Sequence, residues 1–167
     1  MQGLQLSTQQ QRMQIAVTVA TERMEQVQRY TGSNAEPSAL VLGRGSAAVT
    51  AAWSANSGVE GVAQTYPLSA TTAGVETIPI TLTTTRSGSD YVSTTLIGTC
   101  YQPKTGGACT TIAGKSTDAA ASSVAGYTRV LRVIVTVTFP GACGATPCRY
   151  TSSALFDTHQ DLTWQTF

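Results

Sequence analysis

Four cysteines are the residues of this 167-residue chain whose spacing points most clearly to chemistry. Cys100 and Cys109 enclose eight residues, Cys143 and Cys148 enclose four, and both inserts carry the glycine and proline of turns. Four cysteines can pair in three ways, and these short inserts favour Cys100–Cys109 and Cys143–Cys148. Zinc is the alternative, but its thiolate ligands are usually separated by two residues. We therefore expect two disulfides, and with them an oxidising compartment.

The only histidine, His159, has Asp157 and Asp161 at alternate positions on either side. On a strand the three side chains would share one face, but a separation of about 7 Å along the strand is too wide for a compact metal site. A serine hydrolase would also need His159, and no Gly-x-Ser-x-Gly motif presents a nucleophile. We interpret the three as solvated polar residues and predict that the chain is not an enzyme and uses no metal or cofactor.

Two glycine-containing segments imitate ligand-binding loops. In the segment 107–116 six residues separate the glycines, whereas a phosphate-binding loop has four between them. Gly114-Lys115-Ser116 is therefore predicted to be a turn, and Gly43-Arg44-Gly45-Ser46 a flexible bend.

Charge gives little guidance about a partner, because ten basic and nine acidic residues leave a net charge of +1. Charged residues make up 11% of the chain, and the abundant Ser, Thr, Gly and Ala are typical of extracellular β-rich proteins. Lys104 and Lys115 flank the first predicted disulfide, and Arg149 follows the second. These cations, with Tyr101 for base stacking, are the candidate ligand or DNA contacts. Solubility is the alternative role of the cations.

The first thirty residues contain no proline and are rich in Gln, Arg, Glu, Met and Ala, which predicts one helix over Leu4–Tyr30, about 40 Å long. Its apolar stripe consists of Leu6, Met13, Val17, Ala20, Met24 and Val27. We expect the last four of these to pack on the rest of the domain. The first two are expected to project beyond it. The chain is thus divided into the helix at 1–31 and a globular part at 32–167.

The globular part is predicted to be an antiparallel sheet, with the fold of residues 33–68 left open between helix and strand. Alternating apolar residues predict strands at 78–82, 90–100 and 129–139, the first two joined in a hairpin. A returning strand is predicted over 149–164, after the loop of the second disulfide. The predicted class is α+β, a long helix packed on an antiparallel sheet.

This arrangement resembles the type IV pilins and pseudopilins. The resemblance rests on the Gln-rich helix ending near Tyr30, on the strand Arg129–Phe139 followed by a turn and Tyr150–Leu155, and on the disulfide near the C-terminus. The strong Val-Thr strand is more similar to minor pilins and minor secretion pseudopilins than to a major pilin.

The resemblance implies a structural subunit that assembles with other pilins through its N-terminal helix. It implies a precursor anchored in the inner membrane, then a place in a surface pilus or a periplasmic pseudopilus. No run of about 18 apolar residues occurs, so we expect the chain to be a soluble part that lacks the membrane segment. A free-standing extracellular binding or adhesion module is the alternative.

Overall fold

A helix of 31 residues and an antiparallel sheet form most of the computed structural model, which describes residues 2–32, 37–115, 124–141, 143–144 and 147–157. The elements are α1 (Gln2–Gly32), α2 (Pro37–Leu40), α3 (Ser46–Ala55), β1 (Tyr66–Pro67), β2 (Thr81–Arg86), β3 (Ser89–Pro103), β4 (Tyr127–Phe139) and β5 (Cys148–Asp157). The predicted N-terminal helix is present, and its packing on the sheet confirms the predicted α+β class.

The five strands pair antiparallel throughout. β3 and β4 lie at the centre, β5 lies outside β4, and β1 and β2 share the other side of β3. β2 and β3 form the predicted hairpin, whose turn residues Ser87 and Gly88 have φ values of 50° and 72°. Left-handed backbone at both positions matches the twist of the paired strands.

The surface of the sheet beneath α1, which we call the α1 face, carries the main core. Side chains of a strand alternate between the two surfaces, so every second residue of β4 points toward α1. Those residues are fully buried: Leu131, Val133, Val135, Val137 and Phe139. The alternation predicted for this strand is confirmed.

The opposite surface, the α3 face, is covered in part by α3. Trp53 of α3 forms a second cluster with Leu96 of β3 and Ile134 of β4. The Trp53 ring lies close to Gly98, where an added Cβ would be 3.1 Å from the ring and 2.4 Å from the carbonyl oxygen of Tyr66. Gly98 is therefore the position that lets α3 and β1 approach the sheet.

The strand predicted at 78–82 begins later than expected, at Thr81. Ile78 and Ile80 are buried, as their alternation indicates, but they precede β2. Pro79 between them has no N–H to donate, and the N–H of Ile80 donates to the Glu76 carboxylate at 2.6 Å. Ile80 nevertheless joins the sheet, because its carbonyl oxygen accepts from the N–H of Thr95 in β3 at 2.8 Å.

The open region 33–68 contains two short helices and a two-residue strand where it is described. Leu40 ends α2, so the apolar run Leu40-Val41-Leu42 does not form a strand. Residues 46–55 form α3, in agreement with the helix preference of its alanines.

Candidate functional site

α1 is buried along one side only. Ala16, Val19, Ala20 and Val27 are almost inaccessible, and Met24 packs against the same core. Two alanines on the buried side let the helix axis lie close to the α1 face. The predicted packing of Ala20, Met24 and Val27 is therefore seen in the structure.

The prediction for Val17 is wrong, because its side chain is 37% exposed. Each residue turns the helix by about 100°, so Val17 lies on the flank when Ala16 faces the sheet. Met13, one turn earlier, is 38% exposed on the same flank. The C-terminal part of the apolar stripe is thus buried, whereas Met13 and Val17 are left accessible.

The N-terminal half of α1 contacts the loop between β4 and β5. The Gln9 side-chain amide lies 3.8 Å from Cys143 Sγ, and Arg12 Nη1 donates to the carbonyl oxygen of Pro140 at 3.2 Å. Contact with the body therefore extends back to Gln9, further than the sequence predicted, although Met13 itself is exposed. Leu6 has a side chain outside the described part of the structure.

Both predicted disulfides are present, Cys100–Cys109 and Cys143–Cys148. They indicate an oxidising, non-cytoplasmic environment. No described helix has the length and apolarity needed to span a membrane.

Arg132 ties the loop of the first disulfide to the α3 face. Its guanidinium donates to the carbonyl oxygens of Gly61 and Cys109, at 3.0 and 2.8 Å, and to Thr65 Oγ1 at 3.0 Å. Burial lowers the pKa of Arg132, and the charge of Glu60 opposes the shift. Three separate segments are thereby joined through one side chain.

Tyr101 is not available for base stacking, so this part of the ligand prediction is wrong. Its side chain is only 2% exposed and meets Tyr66 edge to face, with the ring centroids 6.4 Å apart. Tyr101 lies inside β3 next to the disulfide at Cys100, where the strand and the loop that returns to Thr110 enclose it.

The three candidate cations are exposed but do not converge. The N–H of Lys104 donates to the carbonyl oxygen of Gly126, just before β4 begins, whereas Arg149 pairs with Thr138 near the end of β4. Eleven residues of strand separate these positions, which corresponds to about 35 Å. Lys115 follows Gly114 in the predicted turn, where its N–H donates to the carbonyl oxygen of Ile112 at 3.1 Å. DNA contact remains a prediction.

The residues considered for catalysis lie largely outside the described part of the chain. This applies to His159 and Asp161, whereas Asp157 ends β5. Within the described residues, no group of three histidine, cysteine or acidic side chains is arranged to hold a metal ion. The expectation that the protein is not an enzyme stays a prediction.

Arg44 is a buried cation that the sequence did not reveal. It is 2% exposed, and its Nη2 donates to the carbonyl oxygen of Thr95, while Nε and Nη1 have no hydrogen-bond partner among the described residues. Burial lowers its pKa to about 10, although the charge of Glu76 opposes the shift. Arg44 is therefore still charged at neutral pH.

The flexible bend predicted at 43–46 is wrong, because this segment is packed. Gly43 and Gly45 form parallel bridges with Ala73 and Ala70, and a Cβ on Gly43 would lie 2.2 Å from the carbonyl oxygen of Val75. The segment is thus packed on a neighbouring strand-like stretch. The glycines on either side of Arg44 are the signal in the sequence that could have indicated this packing, because glycine permits close approach of another backbone.

Comparisons with protein-family models, with curated proteins and with solved structures find no match to this chain. The helix on an antiparallel sheet is compatible with a pilin-like fold.

Proposed function

We propose that this protein is a structural subunit of a type IV pilus or a related filament, of the minor-pilin kind. The observation that supports the proposal is α1, a helix of 31 residues that is buried along one side and leaves the flank with Met13 and Val17 accessible. The buried side of such a helix stabilises its own domain, and the accessible flank remains free to contact neighbouring subunits.

In the proposed assembly, α1 contacts the helices of other pilin subunits, and a hydrophobic segment ahead of it anchors the subunit in the inner membrane before assembly. The two disulfide loops lie at opposite ends of the sheet, because Cys100 pairs with Val130 and Cys148 with Phe139. The subunit would act in a surface pilus that serves DNA uptake, twitching motility or adhesion. A type II secretion pseudopilus is the related alternative.

Gene deletion tests this proposal. Loss of the gene is expected to reduce surface filaments or a process that depends on them, without removing a soluble enzymatic activity. The full-length gene should restore the defect, and a secreted form of residues 1–167 should not. Rescue by the secreted form would instead support a free-standing binding module, and an unchanged deletion strain would contradict the filament role.

A point variant separates assembly from folding. Val17→Asp places a charge on the accessible flank of α1, so the domain should fold normally while filament incorporation falls. Val75→Asp is the matched control, because Val75 is 95% exposed in the loop that precedes β2. Normal incorporation of Val17→Asp would show that this flank is not an assembly surface.

A further inference from the structure

The outer edge of β5 is the least protected edge of the sheet. Among the described residues, β5 pairs only with β4, along ten residues from Cys148 to Asp157. An edge strand of this length presents a row of peptide N–H and C=O groups that can pair with another strand. The centre of β5, Thr151–Leu155, contains no charge and no proline, the two devices that usually prevent such pairing.

The opposite side of the sheet is protected differently. There β3 is covered by two short strands, β1 and β2, rather than by one long edge strand. In the gap between them, the Arg44 guanidinium donates a hydrogen bond to the carbonyl oxygen of Thr95. One side of the sheet is therefore interrupted and filled by a side chain, whereas β5 is continuous.

The sequence of β5 is complementary to itself in the antiparallel direction. If two copies pair about a two-fold axis at Ser153, Arg149 faces Asp157 of the second copy. The remaining pairs are Tyr150 with Phe156, Thr151 with Leu155, and Ser152 with Ala154. This register thus matches a cation with an anion and an aromatic ring with an aromatic ring, and it places the small residues Ser152 and Ala154 opposite each other.

In this register, the residues that face each other lie on the same face of the sheet. Tyr150 and Phe156 both lie on the α1 face and pack against its core, so their rings would extend that core across the junction. Leu155, 42% exposed on the α3 face, would be covered by Thr151 of the second copy. A carboxylate offers about four acceptor sites, so Asp157 can face Arg149 while keeping its other contacts.

We propose that β5 joins two copies of this protein edge to edge in this register, forming one continuous antiparallel sheet. The paired segment of about nine residues is about 30 Å long. The two-fold axis is perpendicular to the sheet, so it reverses the direction of α1 in the second copy. The pair is made through β5 and not through α1, so it is separate from the helix contacts proposed for a filament. It would link free subunits or subunits of two different filaments.

Engineered cysteines test the register directly. Ser153→Cys should form a disulfide-linked dimer under mild oxidation, because the residue faces itself across the axis. Thr151→Cys alone and Leu155→Cys alone should remain monomeric on a non-reducing gel, since each is about 13 Å from its own copy. A mixture of these two variants should cross-link. Equal cross-linking of all three single variants would overturn the register.

Sedimentation equilibrium of the unmodified chain tests the pairing itself. We expect a concentration-dependent dimer that Ser153→Lys weakens at least about ten-fold, because two like charges then face each other. Thr83→Lys, an exposed position on β2, is the matched control and should leave the dimer unchanged. Circular dichroism melting of both variants checks that each is folded.

Two outcomes contradict the proposal. One is a monomer at all concentrations in both the full chain and a form ending at Asp157. The other is a monomeric full chain whose form ending at Asp157 dimerises, which would mean that residues 158–167 of the same chain occupy the edge. Neither result bears on the assembly test with Val17→Asp, so the two proposals can fail independently.

Discussion

The two faces of the sheet bury their residues in different ways. On the α1 face, aliphatic side chains of β4 meet the small residues Ala16 and Ala20 of α1. On the α3 face, Gly98 makes room for Trp53, and Arg132 holds the surrounding loops by hydrogen bonds. The first face depends on the exclusion of charge over a large apolar area, whereas the second depends on close backbone approach and on a few directional contacts.

The largest expected loss of stability comes from a substitution on the α1 face. Val27→Asp buries an uncompensated charge at a fully buried position, and we expect it to lower the free energy of unfolding by about 3 to 5 kcal/mol. Val17→Asp, on the exposed flank, should change it by less than about 0.5 kcal/mol. Urea unfolding followed by circular dichroism measures both, and similar losses would mean that the two sides of α1 are not distinguished as the structure indicates.

Each face also has its own disulfide. Cys100 and Cys109 cluster with Val130 on the α3 face, and Cys148 belongs to the core of the α1 face. With sequence separations of 9 and 5, replacement by alanine pairs should cost about 2.5 kcal/mol for the first and about 2 kcal/mol for the second in the chain-entropy model.

Peptide mapping without reduction should recover both linkages. Free thiols or exchanged partners in protein from an oxidising compartment would contradict the assignment.

A single methyl group tests the close approach on the α3 face. Gly98→Ala places a Cβ 2.4 Å from the Tyr66 carbonyl oxygen and 2.6 Å from Thr65 Cγ2, and we expect a loss of about 2 kcal/mol. Gly58→Ala is the control, because nothing lies within 4 Å of an added Cβ there. A stability of Gly98→Ala equal to that of the control would show that α3 and β1 can move away without cost.

The smallest expected change in stability is the one that distinguishes Arg132 from Arg44. Arg132→Met leaves acceptors on Gly61 and Cys109 without their donor and should cost about 1.5 kcal/mol. Arg44→Met removes a buried charge with two unpaired donors, so its loss of stability at pH 7 should be smaller or reversed in sign.

The pH dependence of Arg44 has a defined sign. Its folded-state pKa of about 10 lies below the usual value for an arginine, so the charged form weakens the fold at neutral pH. This cost should fade only as the pH rises above about 10. Thermal melting of the unmodified chain and of Arg44→Met at pH 7 and at about pH 11 checks it, because the unmodified chain should gain stability relative to the variant only at the higher pH. A greater loss for Arg44→Met than for Arg132→Met at pH 7 would contradict the comparison.

The main elements could be predicted because they are periodic. The alternation in 129–139 identified β4 and its buried face, and the proline-free N-terminal segment identified α1. The disulfides followed from short, turn-rich inserts. Val17 was misplaced because a broad apolar stripe does not specify which part of it faces the sheet, and the shape of the contact, with Ala16 and Ala20 nearest, decides that.

The sequence by itself determined the helix and the main strands of the α+β class, the hairpin of β2 and β3, and the disulfide pairing, because each depends on residues that are close along the chain. Only the tertiary structure decided that Arg44 fills the gap between β1 and β2 and that Tyr101 is enclosed. It also decided that Gly98 admits Trp53. These contacts join residues far apart in the chain, and their energies depend on distance and desolvation, which no local pattern of residue types records.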